Sequence, residues 1–189
     1  MRKLCFIDLE TGGVNSSTDA VLQIAGIIDI DGVVKEEFDF KCQPFNGDIV
    51  NDAALEVNKI TRQDIIDKHL PAVFVHRQLV SMLSKYVNKY DKKDKMFFTG
   101  YNCSMFDAPF LRRFFEKAGD KYFGSLFWFP TIDVAVLAGH VLMDERTKME
   151  RFNLESVCKH TGVETSGEMH DAMVDIKATR DLYYKLLKR

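Results

Sequence analysis

The sequence contains no uncharged apolar run long enough to span a bilayer, so no membrane helix is expected. The N-terminus begins Met-Arg-Lys and meets Asp8 before a signal-peptide core can form. Cysteine is sparse and dispersed: Cys5, Cys42, Cys103 and Cys158 form no close pair of the kind that holds zinc. A chain of 189 residues also has no need of disulfide staples, so these four are read as reduced thiols. Positive charge is not in excess. With 26 basic and 28 acidic residues the net charge is -2, so any contact with nucleic acid must come from local patches, metals or the site itself. Internal repeats, long flexible linkers and signs of a second domain are absent too. Together these absences describe a soluble, cytoplasmic, single-domain protein over residues 1–189. At 46% hydrophobic, with 15 Phe and 6 Tyr, it can bury a substantial core.

Within that frame one stretch stands out. Leu4-Cys5-Phe6-Ile7 is a near-continuous apolar run that leads into Asp8, Leu9 and Glu10, which reads as a buried strand ending in a charged site. Side chains alternate along a strand, so Asp8 and Glu10 point the same way, roughly 6–7 Å apart. Two like charges buried side by side are costly unless one is protonated or a cation lies between them, and carboxylate oxygens attract hard divalent cations. A strand whose polar end simply reaches solvent is the plainer account. Thr11-Gly12-Gly13 follows directly; its two glycines let backbone approach a ligand closely with amides available to it.

Further along, Val21 to Ile28 and Val33 to Phe40 read as strands joined through Asp29-Ile30-Asp31-Gly32, where Asp-Gly signals a hairpin. A three-strand meander is therefore expected. Short helices follow at Asp52 to Lys59, with Asp52 as cap, and from about Thr61. Apolar spacing at Val73, Val80, Leu83 and Val87 predicts a helix from Val73 to Tyr90. Its end runs into Lys85, Lys89, Lys92, Lys93 and Lys95, read as a solvated helix terminus, with a phosphate-tracking patch as the alternative. Strands are expected at Met96 to Gly100 and Phe127 to Asp133, and helices from Asp107, from Val134 to Met143, from Leu154 to Thr161 capped by Asn153, and from Asp171 to Leu187. A meander followed by alternating strands and helices predicts an α/β mixed sheet with helices on its faces.

Two more acidic positions carry chemistry. Asp107 again lies just beyond an apolar strand; it reads either as a helix cap ahead of Pro109 or as a site acid. Asn102, whose amide can bind a sugar or phosphate, and Phe106, which can stack on a base or pack in the core, flank it. Near the C-terminus, Ala172, Asp175, Thr179, Leu182 and Leu186 share one helix face. Asp175 is thus an acid on a packing stripe, which is unfavourable unless compensated. His170 just ahead of that helix is read as a cap or as a general base near neutral pH. His69, His76, His140 and His160 are read as surface or capping residues.

Phe6-Ile7-Asp8-Leu9-Glu10-Thr11, the segment Asn102 to Asp107, and His170-x4-Asp175 resemble, in order and spacing, the three signature blocks of the DnaQ-like, DEDDh family of 3′-to-5′ exonucleases. Weaker similarity extends to Ala54 to Thr61, Thr131-Ile132-Asp133 and Asn153-Leu154-Glu155. The resemblance implies a ribonuclease H-like fold, a five-stranded mixed sheet flanked by helices. It implies two divalent ions, Mg²⁺ or Mn²⁺, on Asp8, Glu10, Asp107 and Asp175, with His170 deprotonating the attacking water. Thr11, Gly12, Asn58, Asn102 and Phe106 would grip the terminal nucleotide. The implied partners are single-stranded 3′ ends, DNA favoured over RNA, and a DNA polymerase or replication complex. A non-catalytic nucleic-acid-binding module on the same scaffold is the reading from another class.

Overall fold

The computed structural model describes residues 1–165 and 171–188. Three strands, β1 (Lys3–Thr11), β2 (Val21–Ile30) and β3 (Val33–Lys41), form the expected antiparallel meander. Two short strands, β4 (Phe97–Gly100) and β5 (Ile132–Asp133), add in parallel on the other side of β1. The order is β3-β2-β1-β4-β5, the five-stranded mixed sheet that the α/β reading called for.

β1 is central, and both its faces are covered. Leu4 and Phe6 pack against α6 (Val134–Val141), α7 (Leu154–Thr161) and α8 (Ala172–Leu186), while Cys5, Ile7 and Leu9 pack towards α3 (Ala72–Leu83), α4 (Asp107–Lys117) and α5 (Phe123–Leu126). A strand buried on both faces reads as an unbroken apolar run, which is why its segment was legible. Full burial of Phe6, Phe98, Phe110 and Phe115 contributes about 1.5–3 kcal/mol per ring. Two short helices, α1 (Asp52–Asn58) and α2 (Arg62–Asp67), close over Ala20 and Leu22 through Leu55 and Ile65. No helix among the described residues is long and apolar enough to cross a membrane. All four cysteines are free and buried.

Several boundaries differ from expectation for identifiable reasons. β2 continues to Ile30, because the hairpin needs only Asp31 and Gly32, both at positive φ (53° and 87°). Asp29 thereby enters the strand, fully buried, and accepts from Arg180, Tyr184 and the Gly32 amide. The cap of α1 is Asn51 and not Asp52, and its side chain binds the Gly12 carbonyl. α3 stops at Leu83 and not Tyr90: Val87 turns into the core, and the Tyr86 carbonyl is taken by Lys3 Nζ at 2.6 Å. The lysine cluster therefore lies on coil, where Lys85 pairs with Glu36 and Lys95 donates to the Gly124 carbonyl. Pro130, which has no N–H to give a ladder, cuts the expected strand from Phe127 down to Ile132–Asp133. α6 ends at Val141, followed by a 3-10 helix over Met143–Lys148. His69 and His76 are buried, contrary to a surface reading. His69 Nδ1 meets the Cys42 carbonyl at 3.2 Å, and His76 lies edge-on to Phe115 beside Asp120.

Candidate active site

The strand ladder creates the site by ending early. β4 pairs with β1 only as far as Phe6 opposite Thr99, whereas β1 continues to Thr11 against β2. Beyond Phe6 the β4 side of β1 is open, and the Leu9 amide on that edge donates to Asp107 Oδ1 at 3.1 Å. The carboxylate of α4's first residue thus takes the place of a strand partner. The cap reading of Asp107 gives way to this: Phe106 is the cap residue of α4, and Asp107 is 4% exposed with its side chain turned onto β1.

Asp8 and Glu10 continue the face of β1 that bears Leu4 and Phe6, and that face packs on α8. Asp175 lies in the first turn of α8, one turn after its cap, Asp171, whose carboxylate accepts from the Met173 and Val174 amides. Asp8, Glu10, Asp107 and Asp175 are close enough to disturb one another's ionisation, so the four acids picked out in the sequence meet at one corner. His170 lies outside the described residues.

The smaller residues divide. Thr11 is buried, its hydroxyl donates to the Gly13 carbonyl at 2.6 Å, and its own carbonyl accepts from Asn58 Nδ2 at 2.9 Å. Gly12 has its amide on the Ala20 carbonyl and its carbonyl on the Asn51 amide, both at 2.8 Å. The amide and carbonyl of Gly12 are therefore spent within the chain. A Cβ on Gly12 would meet the Ile49 carbonyl at 2.7 Å, so close packing by itself requires glycine. Asn102 is exposed, in the left-handed region at φ 59°, and its side-chain amide makes no hydrogen bond among the described residues. Phe106 is half-buried, its ring 4.9 Å from that of Phe110, so it both packs and shows a face. One residue outside the predicted set joins the cluster: Asp133, the last of β5, whose carboxylate holds the Asn102 and Ser104 amides. An aspartate ahead of the apolar run of α6 signals a helix cap, but nothing local shows a second attachment.

A family model described as Exonuclease, RNase T, matches residues 5–183. The chain belongs to the exonuclease family. Ribonuclease T of Buchnera aphidicola subsp. Acyrthosiphon pisum is 30% identical over 191 residues, covering 97% of this chain and 81% of that protein. Among solved structures, E. coli exonuclease I in complex with a dT13 oligonucleotide matches with TM-score 0.78 at 25% identity, over 100% of this chain and 41% of that one. A zinc-ion-bound form of the E. coli exonuclease I complex with single-stranded DNA matches with TM-score 0.79 at 25% identity, over 100% and 40%. The chain thus spans about two-fifths of those structures. It is a DEDD-type 3′-to-5′ exonuclease with a ribonuclease H-like fold.

The electrostatics of this exonuclease's carboxylates follow from crowding and burial. Desolvation first, then the charges of Asp107, Glu10 and Asp175, hold the Asp8 carboxyl well above its ordinary range. Desolvation, Asp175, Asp107 and Asp171 push Glu10 up to about 7. Asp107 also rises to about 7, chiefly by burial, although the Leu9 amide pulls the other way. Among the described residues no three His, Cys, Asp or Glu side chains are already drawn to ligand spacing. The fit to metal rests on the donors: an all-oxygen, acidic set suits hard divalent ions.

These shifts set a pH dependence. Unfolded, Asp107 and Glu10 titrate near 3.8 and 4.5, and folded near 7, so between those values the folded state holds more protons than the unfolded one. Stability of the metal-free protein is then greatest at the acid end and falls as pH rises through about 7. Melts in chelator from pH 5 to 8 are expected to show a declining Tm; a Tm that climbs over that range contradicts the assignment. Added divalent ion is expected to remove most of the decline.

Proposed function

We propose that the exonuclease works with two divalent ions, Mg²⁺ or Mn²⁺, held by Asp8, Glu10, Asp107 and Asp175, and removes 5′-mononucleotides from the 3′ end of single-stranded nucleic acid. One observation carries this reading: acids from the end of β1, the start of α4 and the start of α8 converge where the β4 edge falls away, and the neighbouring carboxylates make Asp8 and Glu10 harder to ionise. A fold does not assemble such a cluster for stability, because like charges brought side by side out of water cost free energy. When bound, two ions supply positive charge to offset the phosphodiester and the departing 3′ oxygen.

The chain's own residues do the rest. The four carboxylates fix the charge centre relative to β1. Asn102 offers a side-chain amide that makes no hydrogen bond among the described residues, and Phe106 offers the exposed part of a ring on which a base can stack. Thr11, Gly12 and Asn58, locked to each other and to the loop around Asn51, shape the wall beside the acids. His170 takes the proton from the attacking water.

DNA is the substrate first proposed. The relatedness to ribonuclease T over almost the whole chain favours RNA 3′-end trimming as the second reading, because telling the sugars apart depends on how a pocket meets the 2′-hydroxyl. Digests of end-labelled single-stranded DNA, single-stranded RNA and duplex DNA, with and without chelator, test both. The expected result is stepwise loss of 3′ nucleotides from single strands, slower attack on duplex because unpairing must come first, and no activity in chelator. Circular single-stranded DNA is expected to survive. Cutting of the circle at the rate of the linear strand would identify an endonuclease and end this reading.

A further inference from the structure

Asn102 and Phe106 sit in the loop between β4 and α4, and a residue of another strand holds that loop. Asp133 ends β5 and is 9% exposed. Its Oδ1 accepts from the Asn102 amide and the Ala135 amide, each at 3.0 Å, and its Oδ2 accepts from the Ser104 amide, also at 3.0 Å. One carboxylate thus takes three backbone N–H groups, two from the loop and one from α6. A second tie joins the same segments, Ser104 Oγ to Thr131 Oγ1 at 2.7 Å.

Capping α6 accounts for only one of these bonds, and a single side-chain oxygen such as that of Ser, Thr or Asn would satisfy it. Holding the amides of Asn102 and Ser104 together takes both oxygens. Charge-assisted bonds of this kind are stronger than neutral ones, and they act on a loop under backbone strain, since Asn102 is in the left-handed region. That strain persists only where the surroundings over-determine it, and the carboxylate is attached at the strained residue itself.

We propose that Asp133 is a positioning residue for the nucleotide-gripping loop: bound to the Asn102 and Ser104 amides, its carboxylate keeps Asn102 and Phe106 presented to the terminal nucleotide. Asp133 does so without touching substrate. The inference rests on the exonuclease reading of the same site.

Two substitutions in the full chain, assayed with Mn²⁺ on single-stranded oligonucleotide, separate loop-holding from capping. Asp133→Ser keeps an oxygen for the Ala135 amide but cannot span the two loop amides. Asp133→Asn keeps the volume and turns an NH₂ towards one of them. Each is expected to raise KM by on the order of tenfold, the scale of a lost hydrogen bond to a charged group, while kcat moves less than about threefold and the Mn²⁺ midpoint stays in place. Asn102→Ala is expected to raise KM as well, and adding Asp133→Ser to it should raise KM by clearly less than Asp133→Ser does alone, the remainder being the displacement of Phe106, because coupled residues are not additive. An unchanged KM in either folded variant, or full additivity with Asn102→Ala, overturns the proposal, as does failure of both variants to fold, which would assign Asp133 to the scaffold. A wild-type protein inactive on linear single strands sinks the exonuclease reading and this proposal together; an active wild type with an unmoved KM in the variants sinks only the latter.

Discussion

Asp8→Asn, Glu10→Gln, Asp107→Asn and Asp175→Asn are each expected to lower the single-turnover rate on single-stranded oligonucleotide by at least about 10³-fold, the upper scale for losing one group that stabilises transition-state charge. Their near-isosteric shapes leave the fold intact. Asp8→Asn is expected in addition to raise Tm in chelator, because it removes a charge that desolvation and the Asp107, Glu10 and Asp175 carboxylates all oppose. The two effects point in opposite directions: activity is lost while the metal-free protein becomes more stable. Rate measurements at saturating metal and thermal melts in chelator read them separately. A variant at any of the four positions that turns over at the wild-type rate counts against the shared metal assignment, and a clear fall in the chelator Tm of Asp8→Asn counts against the crowding argument.

His170→Ala is expected to slow the chemical step by on the order of 10²–10⁴-fold, the usual contribution of a general base, with metal midpoint and oligonucleotide affinity little changed. A base must be neutral to accept a proton, so the wild-type rate should rise with pH through the histidine's titration and then level off. The variant's residual rate should keep rising at alkaline pH, where hydroxide substitutes for the missing base. The competing account, a capping histidine, predicts only a stability loss of about 0.5–2 kcal/mol. It is weakened by the structure of α8, whose cap is Asp171, with its carboxylate already on the Met173 and Val174 amides. Single-turnover rates from pH 5.5 to 9 decide the matter: superimposable profiles for wild type and variant remove His170 from the chemistry.

What the sequence determined by itself was whatever depends on short-range geometry. Alternation along an extended chain places Asp8 and Glu10 on one face whatever surrounds them, helical spacing places Asp175 on the stripe with Ala172 and Thr179, and the Asp31-Gly32 step dictates a tight hairpin. The mixed sheet with helices on its faces followed from a meander joined to strand–helix alternation. Tertiary structure decided which groups answer one another across long separations. That the Leu9 amide is left for Asp107 depends on β4 pairing with β1 only as far as Thr99, and nothing in Phe97–Gly100 announces where the ladder ends. That α3 stops at Leu83 depends on Lys3 taking the Tyr86 carbonyl, a contact 83 residues apart. Gly12 looked like an open ligand turn because its flexibility is local, but Ala20 and Asn51 had claimed its backbone. Asp133 read only as the end of a strand, because one of its three hydrogen bonds is local and the other two reach back 31 and 29 residues. Periodicity and propensity act over a few residues and so are written in the chain, whereas the partner of a buried polar group is chosen by whichever donor or acceptor the finished fold brings within reach.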